Sequence, residues 1–475
     1  MTSWKATLLS CTMAIWMTGC DSESADPSQP RQQADLIVYA DHILTMTQTR
    51  ASITDGAVAI RDGIIVAIEE RAQIDRDWVA EQSVDGGNRL LMPGLVNGHT
   101  HAAMVLLRGV ADDLELMTWL TRFIFPAEVS VVDETFVSVG TTLACYEMIR
   151  GGTTVFVDMY YFPDAVANAV VDCGIRALVA PSVIEQTSPD APDGEQSLAQ
   201  AVDFITRWQT KHSRIVPVLG AHSVYTISEP WLQRIQRAAA QLHAPISIHV
   251  SESRAEIEQI ADSYGMTPVQ LLDKLEFLSG PLIAAHTVYP DSDDIRTLAA
   301  RGTGVVHNPT SNMKLASGAS PVSAMRNAGV PVGLGTDGAA SNNDLDMWEE
   351  IRLAGLLAKL IETDPTALPA ADVLAMATIE GARAIGIENE IGSLEVGKRA
   401  DMIQIETDDL MHTPTYDLRS HLVYVSDANN VVTTIVDGRI LMLDRTVLTI
   451  DEVQLRRDVA AQRDRIITEL GLDTN

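Results

Sequence analysis

The sequence predicts an α/β protein in which a (β/α)8 TIM barrel carries a small β-sandwich domain built from both chain ends. Across residues 90–390, short β-branched runs alternate with helical stretches, which is the pattern of parallel βα units. Eight candidate strands fit a barrel with insertions better than a doubly wound sheet, which usually has fewer strands. The flanking residues 34–89 and 391–450 contain strands and turns instead.

The eight candidate strands are short, and helical stretches separate them. In chain order they lie near LLMPGLVNG, TTVFVDM, IRALVA, RIVPVLGA, APISIHV, PLIAAH, GTGVVHN and VPVGLGT. Active sites of such barrels lie at the C-terminal ends of the strands. The residues that close each run are therefore the first candidates for chemistry.

The two flanks are expected to fold together. Each would be only marginally stable as a separate unit, because it is too short to bury a core of its own. Asp62-Gly63 and Asp437-Gly438 supply hairpin turns on both sides. We therefore expect residues 34–89 and 391–450 to build one composite β-sandwich, with a charged helix over residues 451–475 closing the chain.

Composition excludes several classes of protein. Hydrophobic residues make up 46% of the 475 residues and charged residues 21%, which excludes intrinsic disorder. The 64 acidic side chains against 34 basic ones give a net charge of −30. This charge repels phosphate backbones, so no nucleic-acid partner is expected.

The first 20 residues have the layout of a secretory signal peptide. Lys5 precedes a mostly apolar run, Ala6 to Trp16, and small residues lead to Cys20. That run is too short for a membrane-spanning helix, and the polar residues 21–33 form a flexible tether. The segment resembles a bacterial lipoprotein signal, which implies a lipid anchor at Cys20 and a place in the cell envelope or periplasm. The alternative is an upstream extension of a cytoplasmic protein.

Six of the eleven histidines fall at or just past the ends of predicted barrel strands. They are His99, His101, His222, His249, His286 and His307. A single histidine at such a position is more often a satisfied polar residue of the core than a ligand. Six that converge on one rim favour a functional site.

Four of the strand-end residues form a candidate metal site. His99 and His101 are two positions apart, so on an extended segment both side chains point to the same face. With His249 and Asp337 they offer three imidazoles and a carboxylate, a set that suits Zn²⁺ with an open position for water. Fe²⁺ or another divalent ion fits the same donors. No lysine ends the fourth strand in VLGAHSVY, so we expect one metal ion per chain.

Glu252 and His286 are candidate catalytic residues beside that metal. Glu252 lies three residues after His249, where a general acid or base could face a substrate. An equally good interpretation from position alone makes Glu252 an N-cap or first-turn acid of the following helix. His286 ends the sixth strand, where it could orient or polarise the attacking water.

Several segments together resemble the amidohydrolase superfamily, and more narrowly its methylthioadenosine/S-adenosylhomocysteine deaminase branch. They are PGLVNGHTH, HVSE, AAH, LLRGVADDLELMTWL, FVDMYYFPDA, HNPTSNMKLASG and LGTDGAASNNDLDMWEE. The resemblance runs from about residue 35 to 455. It implies a (β/α)8 barrel with a β-sandwich made from both chain ends, as the strand pattern also predicts.

The resemblance also implies roles for individual residues. It implies zinc on His99, His101, His249 and Asp337, with Glu252 at the adenine ring and His286 beside the attacked carbon. Glu128 matches the acid that grips the ribose hydroxyls, and His222 matches a further substrate-binding histidine. Without the resemblance, Glu128 would be interpreted as a helix-start acid after Pro126.

The implied reaction is hydrolytic deamination of the 6-amino group of an adenine nucleoside, which releases ammonia and the inosine product. Asp337 would take a proton from the attacking water, Glu252 would protonate purine N1, and His286 would steady the developing charge. No arginine occurs between Arg176 and Arg207, where relatives can hold the amino-acid carboxylate of S-adenosylhomocysteine. We therefore expect 5'-methylthioadenosine or adenosine to be the better substrate.

Two other interpretations stay open. The same metal site could serve a triazine chlorohydrolase or deaminase, or a guanine-type base deaminase, although a ribose-gripping Glu128 has no purpose for a substrate without sugar. The chain could also be a lipid-anchored binding protein without catalysis, although binding alone needs no water-activating set. The expected partners are a small nucleoside and, in a homo-oligomer, further copies of the chain.

Overall fold

The computed structural model describes residues 30–47 and 52–472. The predicted signal segment 1–20 with Cys20, and tether residues 21–29, lie outside these residues. Within the described ranges, no helix combines the length and the apolar character that crossing a membrane requires.

The described chain contains 18 strands and 18 α-helices. The strands are β1 (Gln32–Leu44), β2 (Ser52–Arg61), β3 (Ile64–Glu70), β4 (Trp78–Val84), β5 (Arg89–Pro93), β6 (Leu95–Thr100), β7 (Thr153–Tyr160), β8 (Arg176–Val183), β9 (Ile215–Pro217), β10 (Leu219–Ser223), β11 (Ile246–Val250), β12 (Leu282–His286), β13 (Gly304–His307), β14 (Val332–Leu334), β15 (Met402–Glu406), β16 (Val431–Val436), β17 (Arg439–Leu443) and β18 (Thr446–Val447). The helices are α1 (Arg71–Asp77), α2 (Leu116–Trp119), α3 (Phe125–Val131), α4 (Glu134–Gly151), α5 (Pro163–Cys173), α6 (Gly194–Trp208), α7 (Glu229–Leu242), α8 (Arg254–Tyr264), α9 (Pro268–Lys274), α10 (Ser292–Arg301), α11 (Pro309–Lys314), α12 (Val322–Asn327), α13 (Ala339–Asn342), α14 (Met347–Glu362), α15 (Ala370–Met376), α16 (Ile379–Ala384), α17 (Leu418–Tyr424) and α18 (Glu452–Leu470). Short 3-10 turns cover Ala102–Leu107, Phe277–Ser279 and Ala428–Asn430, and a π-turn covers Leu120–Ile124.

Both chain ends contribute to one nine-stranded sheet, as the flanks predict. Its order is β18-β17-β16-β15-β5-β1-β2-β3, with β4 paired to β1. The two halves meet where β15 runs antiparallel to β5, with Ile403 opposite Met92. Because this pairing joins residues more than 300 positions apart, neither flank forms the sheet alone.

The second sheet is a parallel barrel with the order β14-β13-β12-β11-β10-β8-β7-β6 and a short β9 paired to β8. Between its first and last strands, the Asp337 N–H donates to the His99 carbonyl at 3.0 Å. The Asn97 amide donates to the Thr336 hydroxyl at 2.8 Å in the same seam. The (β/α)8 fold class predicted from the sequence is confirmed.

The first predicted strand, LLMPGLVNG, is two strands in different sheets. Arg89–Pro93 pairs with the composite sheet, and the barrel begins at Leu95. Gly94 lies between them, where a Cβ atom would come within 2.1 Å of the Thr154 side chain. The composite sheet therefore extends past residue 90, and a glycine allows the chain to pass from one sheet to the other.

Candidate active site

The active-site candidates surround one pocket at the barrel rim. Its polar lining consists of His101, Glu128, Tyr160, Tyr161, Ser182, His222, Tyr225, His249, Glu252, His286 and Asp337, and its apolar lining includes Met104, Leu116, Trp119, Leu120, Ile124, Phe125, Met159 and Leu315. Among the described residues, no lysine or arginine lines this pocket. Strands β7 and β10 to β12 bring their C-terminal ends to it, as the barrel predicts.

The four predicted metal ligands lie close together. Ligand atoms of His99, His101 and His249 all lie within 4.8 Å of one another, as do those of His99, His286 and Asp337. The Asp337 Oδ1 atom lies 3.3 Å from His101 Nε2 and 3.5 Å from His99 Nε2. The strand-end pattern therefore brings the predicted histidines and the aspartate to one point.

Hydrogen bonds orient two of the imidazoles for metal binding. His101 Nδ1 lies 2.6 Å from the Met159 carbonyl, and His249 Nδ1 lies 2.6 Å from the His222 carbonyl. A carbonyl only accepts, so each Nδ1 carries a proton, and in a neutral ring the Nε2 lone pair is then available to a metal ion. His99 Nε2 and His249 Nε2 are only 3.1 Å apart. A cation shared by these two buried imidazoles fits this short separation.

The Asp337 carboxylate is fixed on its other side by two hydroxyls. Ser311 Oγ donates to Asp337 Oδ2 at 2.6 Å, and Ser341 Oγ donates to the same oxygen at 2.9 Å. Burial raises the pKa of Asp337, but hydrogen bonds from His101 and His99 outweigh it and hold the pKa well below its usual value. Asp337 is therefore an oriented anion.

The electrostatics of the histidines also favour a cation at this point. Burial lowers the pKa of His99 to about 4 and holds that of His249 well below its usual value. Burial acts in the same direction on His101, but the hydrogen bond and charge of Asp337 raise its pKa to about 9. Two neutral imidazoles, a third that attracts positive charge and an anionic carboxylate form a fitting donor set for a divalent ion.

Glu252 lies before the helix that follows β11, not in it. Helix α8 begins at Arg254, and Ser253 is its N-cap. The alternative interpretation of Glu252 as the capping acid is therefore wrong, because Ser253 takes that position. The buried Glu252 carboxylate contacts the Tyr225 hydroxyl at 3.5 Å, and burial raises its pKa.

His286 is oriented by a hydrogen bond to Asn312, and Asn308 lies next to the same ring nitrogen. Its Nδ1 lies 2.9 Å from Asn312 Oδ1 and 3.3 Å from Asn308 Nδ2. A proton on Nδ1 satisfies the Asn312 carbonyl oxygen and leaves Nε2 as an acceptor facing the pocket. His286 is thus held in position beside Glu252.

Glu128 and His222 occupy another part of the pocket lining. Glu128 does lie in the first turn of α3, yet its carboxylate is buried and lies 3.5 Å from the Tyr161 hydroxyl. Burial raises the pKa of Glu128 to about 7. Burial lowers the pKa of His222 to about 3, so His222 is a neutral hydrogen-bonding group.

The structure also brings residues to the site for which no sequence pattern had predicted a role. Ser311 and Asn312 lie in HNPTSNMKLASG, a segment quoted for the resemblance, and Tyr225 follows His222 in HSVY. The one sequence feature that could have indicated their roles is that they lie next to predicted site residues or in a segment typical of the family. His307, in contrast, ends β13 but does not line the pocket.

Comparisons with known proteins agree with this geometry. The model of the amidohydrolase family matches residues 90–441. The chain belongs to the amidohydrolase family. It is therefore a hydrolase of a metal-dependent family, and the histidine and aspartate cluster of this amidohydrolase is where a metal ion fits.

Two curated relatives and one solved structure show how similar this amidohydrolase is to known proteins. It is 44% identical over 413 residues to a 5-methylthioadenosine/S-adenosylhomocysteine deaminase of Desulforudis audaxviator, covering 87% of this chain and 95% of the relative. It is 43% identical over 439 residues to a 5'-deoxyadenosine deaminase of Methanosarcina mazei, covering 92% and 100%. A crystal structure of an adenosine deaminase from Xanthomonas campestris with bound zinc superimposes with a TM-score of 0.90 at 38% identity, covering 92% and 100%.

Proposed function

We propose that this amidohydrolase removes the 6-amino group of an adenine nucleoside by hydrolysis, giving the inosine product and ammonia. The observation that carries the proposal is the joint placement of one metal-binding cluster, the acid Glu252 and the oriented His286 at a single pocket. Relatives at 43–44% identity carry the names of adenine-nucleoside deaminases. A binding protein would have no use for this combination.

His99, His101, His249 and Asp337 would hold the metal ion, and zinc is the ion we propose. Three imidazoles with one carboxylate are donors that zinc prefers, and a solved relative contains zinc. When bound, such an ion lowers the pKa of water so that hydroxide is available near neutral pH. Fe²⁺ or another divalent ion fits the same donors.

The protein groups supply the proton transfers. Asp337 is held as an anion; it would accept one proton of the attacking water and pass it to the amino group, which leaves as ammonia. Glu252, whose pKa is raised by burial, holds a proton more readily than an exposed glutamate and would donate it to purine N1. Glu252 would then take up the remaining hydroxyl proton as the C6 carbonyl forms. His286 presents Nε2 as an acceptor to the same space and would orient the attacking water towards C6 through a hydrogen bond.

The pocket favours a nucleoside with an uncharged 5'-substituent. Glu128 would accept hydrogen bonds from the ribose hydroxyls, which a triazine or a free base lacks. Leu116, Trp119 and Leu120 supply apolar surface, and among the described residues the lining contains no lysine or arginine. A homocysteine carboxylate would lose its water without gaining an ionic partner. We therefore propose 5'-methylthioadenosine, 5'-deoxyadenosine or adenosine as better substrates than S-adenosylhomocysteine.

One assay tests the proposal directly. Purified protein is incubated with 5'-methylthioadenosine, 5'-deoxyadenosine, adenosine, S-adenosylhomocysteine, guanine and a chlorotriazine, while ammonia or chloride release and purine absorbance are measured. We expect deamination of the neutral nucleosides and a lower kcat/KM for S-adenosylhomocysteine. Turnover of guanine or the triazine without turnover of any nucleoside would contradict the proposal.

We also propose that Cys20 carries a lipid that anchors the protein in the cell envelope. The basis is the sequence layout of residues 1–20 alone. Labelling cells with a fatty-acid analogue tests it, with Cys20→Ser as the comparison. We expect label on the wild-type protein only, and label on neither protein would contradict the anchor.

A further inference from the structure

Glu256 is a buried carboxylate that the proposed chemistry does not use. It lies in the first turn of α8, and only 1% of its surface is exposed. Its Oε1 accepts the backbone N–H of Ser251 at 2.8 Å, and its Oε2 accepts that of Glu252 at 2.7 Å. Both oxygens of one side chain thus bind two consecutive peptide groups next to the proposed acid.

These bonds stabilise a turn that the chain does not adopt readily. Ser251 has a φ of +52°, in the left-handed region that costs energy for residues other than glycine. The turn joins the end of β11 to the start of α8. Ser253 completes it, since its Oγ accepts the Glu256 N–H at 3.2 Å. Buried N–H groups are rarely left unpaired, so the turn depends on an acceptor at position 256.

The turn determines where the Glu252 side chain points. Glu252 has to leave the backbone towards Tyr225 and His286 to reach the pocket. Its peptide N–H is the group that Glu256 Oε2 holds, so a change in this bond rotates the peptide that carries the Glu252 Cα. General acids lose efficiency when their distance or angle to the reacting atom changes.

We propose that Glu256 is a positioning residue that fixes the direction of Glu252 through the two peptide groups of the turn. The inference rests on the proposed role of Glu252 as the proton donor. It adds a residue that contacts neither the pocket nor the metal-binding side chains. Glu256 therefore acts on kcat through Glu252, while substrate affinity depends on other residues.

The test compares Glu256→Gln with a matched control, Glu258→Gln. Glu258 is exposed on the same helix, so the control makes the same Glu-to-Gln change two residues away. Glutamine at 256 keeps one acceptor and turns an NH₂ group towards the other N–H. We expect kcat to fall about 10- to 100-fold, as for other residues that orient catalytic groups, with KM and metal content within about twofold of wild type. Glu258→Gln should match the wild type.

A double variant separates positioning from a general loss of structure. If Glu256 acts through Glu252, then Glu252→Gln/Glu256→Gln should be no slower than Glu252→Gln alone. Multiplied losses in the double variant, or an unchanged kcat in Glu256→Gln, would overturn the inference. Failure of the proposed function is distinct, because the wild type would then deaminate no nucleoside.

A second readout needs no catalysis. Hydrogen exchange in a peptide spanning residues 250–257 should be faster in Glu256→Gln than in Glu258→Gln, because either the Ser251 or the Glu252 N–H group loses its acceptor. Equal exchange in the two variants would overturn the inference. Both variants keep the side-chain volume, so a folding failure is not expected to obscure the comparison.

Discussion

Glu252 Oε1 and His286 Nε2 lie 3.8 Å apart at the base of one pocket. The two side chains come from neighbouring strand ends, β11 and β12, which pair in parallel with Val250 opposite His286. Glu252, the proposed proton donor, and His286, which would orient the attacking water, therefore face the same part of the pocket.

Replacing Glu252 with glutamine should remove most turnover without removing the metal. Glutamine keeps the shape but has no proton to give to purine N1. We expect kcat to fall by roughly 10²- to 10⁴-fold, the usual contribution of a positioned acid or base. Steady-state kinetics and metal analysis on the same preparation check this. Near-normal turnover would contradict the role.

Removal of the metal should abolish activity reversibly. Dialysis against a chelator should leave an inactive, folded protein, and one equivalent of zinc per chain should restore deamination. Asp337→Asn should weaken metal retention because the cluster loses its anion. His307→Gln is the control, since His307 lies on a barrel strand but outside the pocket. Full activity in the chelated protein would refute the metal requirement.

The value of kcat/KM should increase with pH around pH 7, where Glu128 ionises. Burial raises its pKa to about 7, and only the ionised form accepts two hydrogen bonds from ribose hydroxyls. We expect kcat/KM for adenosine to increase as the pH rises through about 7. The Glu128→Gln variant should have a higher KM, and its kcat/KM should not increase over this pH range. An identical pH profile in the variant would show that another group titrates.

The same residue should affect stability with a defined sign. The pKa of Glu128 is higher in the folded state than in the unfolded state. The stability that Glu128 contributes is therefore fully present below about pH 4.5 and is lost as the pH rises through about 7. A shift from 4.5 to about 7 corresponds to about 3 kcal/mol. Relative to Glu128→Gln, the wild type should lose stability between pH 5 and pH 8, as measured by denaturant unfolding.

The buried ion pair between Arg176 and Asp401 should be sensitive to loss of one partner. Arg176 on β8 donates to both Asp401 oxygens at 2.9 and 3.1 Å, and both side chains are 1% exposed. Asp401→Asn leaves the buried guanidinium with only the more distant Asp437 carboxylate, 3.6 Å away, and loss of one partner of a buried pair costs about 3–5 kcal/mol. Asp203→Asn, which breaks the exposed pair with Arg207, should cost less than about 1 kcal/mol. Equal losses in denaturant unfolding would contradict the argument.

Much of this site could be predicted because parallel strands end together. His99, His101, His249 and Asp337 each close a run of apolar residues, so the barrel brings them to one rim whatever the loops do. The two-residue spacing of His99 and His101 places both on one side of an extended segment.

Other contacts could not be predicted because they depend on how loops turn. Asn312 and Ser311 reach His286 and Asp337 from α11, which lies after a different strand. No sequence pattern indicates that the Glu256 side chain is buried and accepts the N–H groups of Ser251 and Glu252. The apolar run LLMPGLVNG also does not indicate that the chain passes from one sheet to the other at Gly94.

The sequence alone determined the alternation of strands and helices, the pairing of the two chain ends and the identity of the groups that can hold a metal, because these follow from periodicity and donor chemistry. Tertiary structure alone decided how the groups are oriented and charged. The direction of each imidazole is set by a distant carbonyl or amide, and the raised pKa values of Glu128 and Glu252 come from burial. Burial and hydrogen-bond direction arise from packing between segments far apart in the chain, so no local pattern records them.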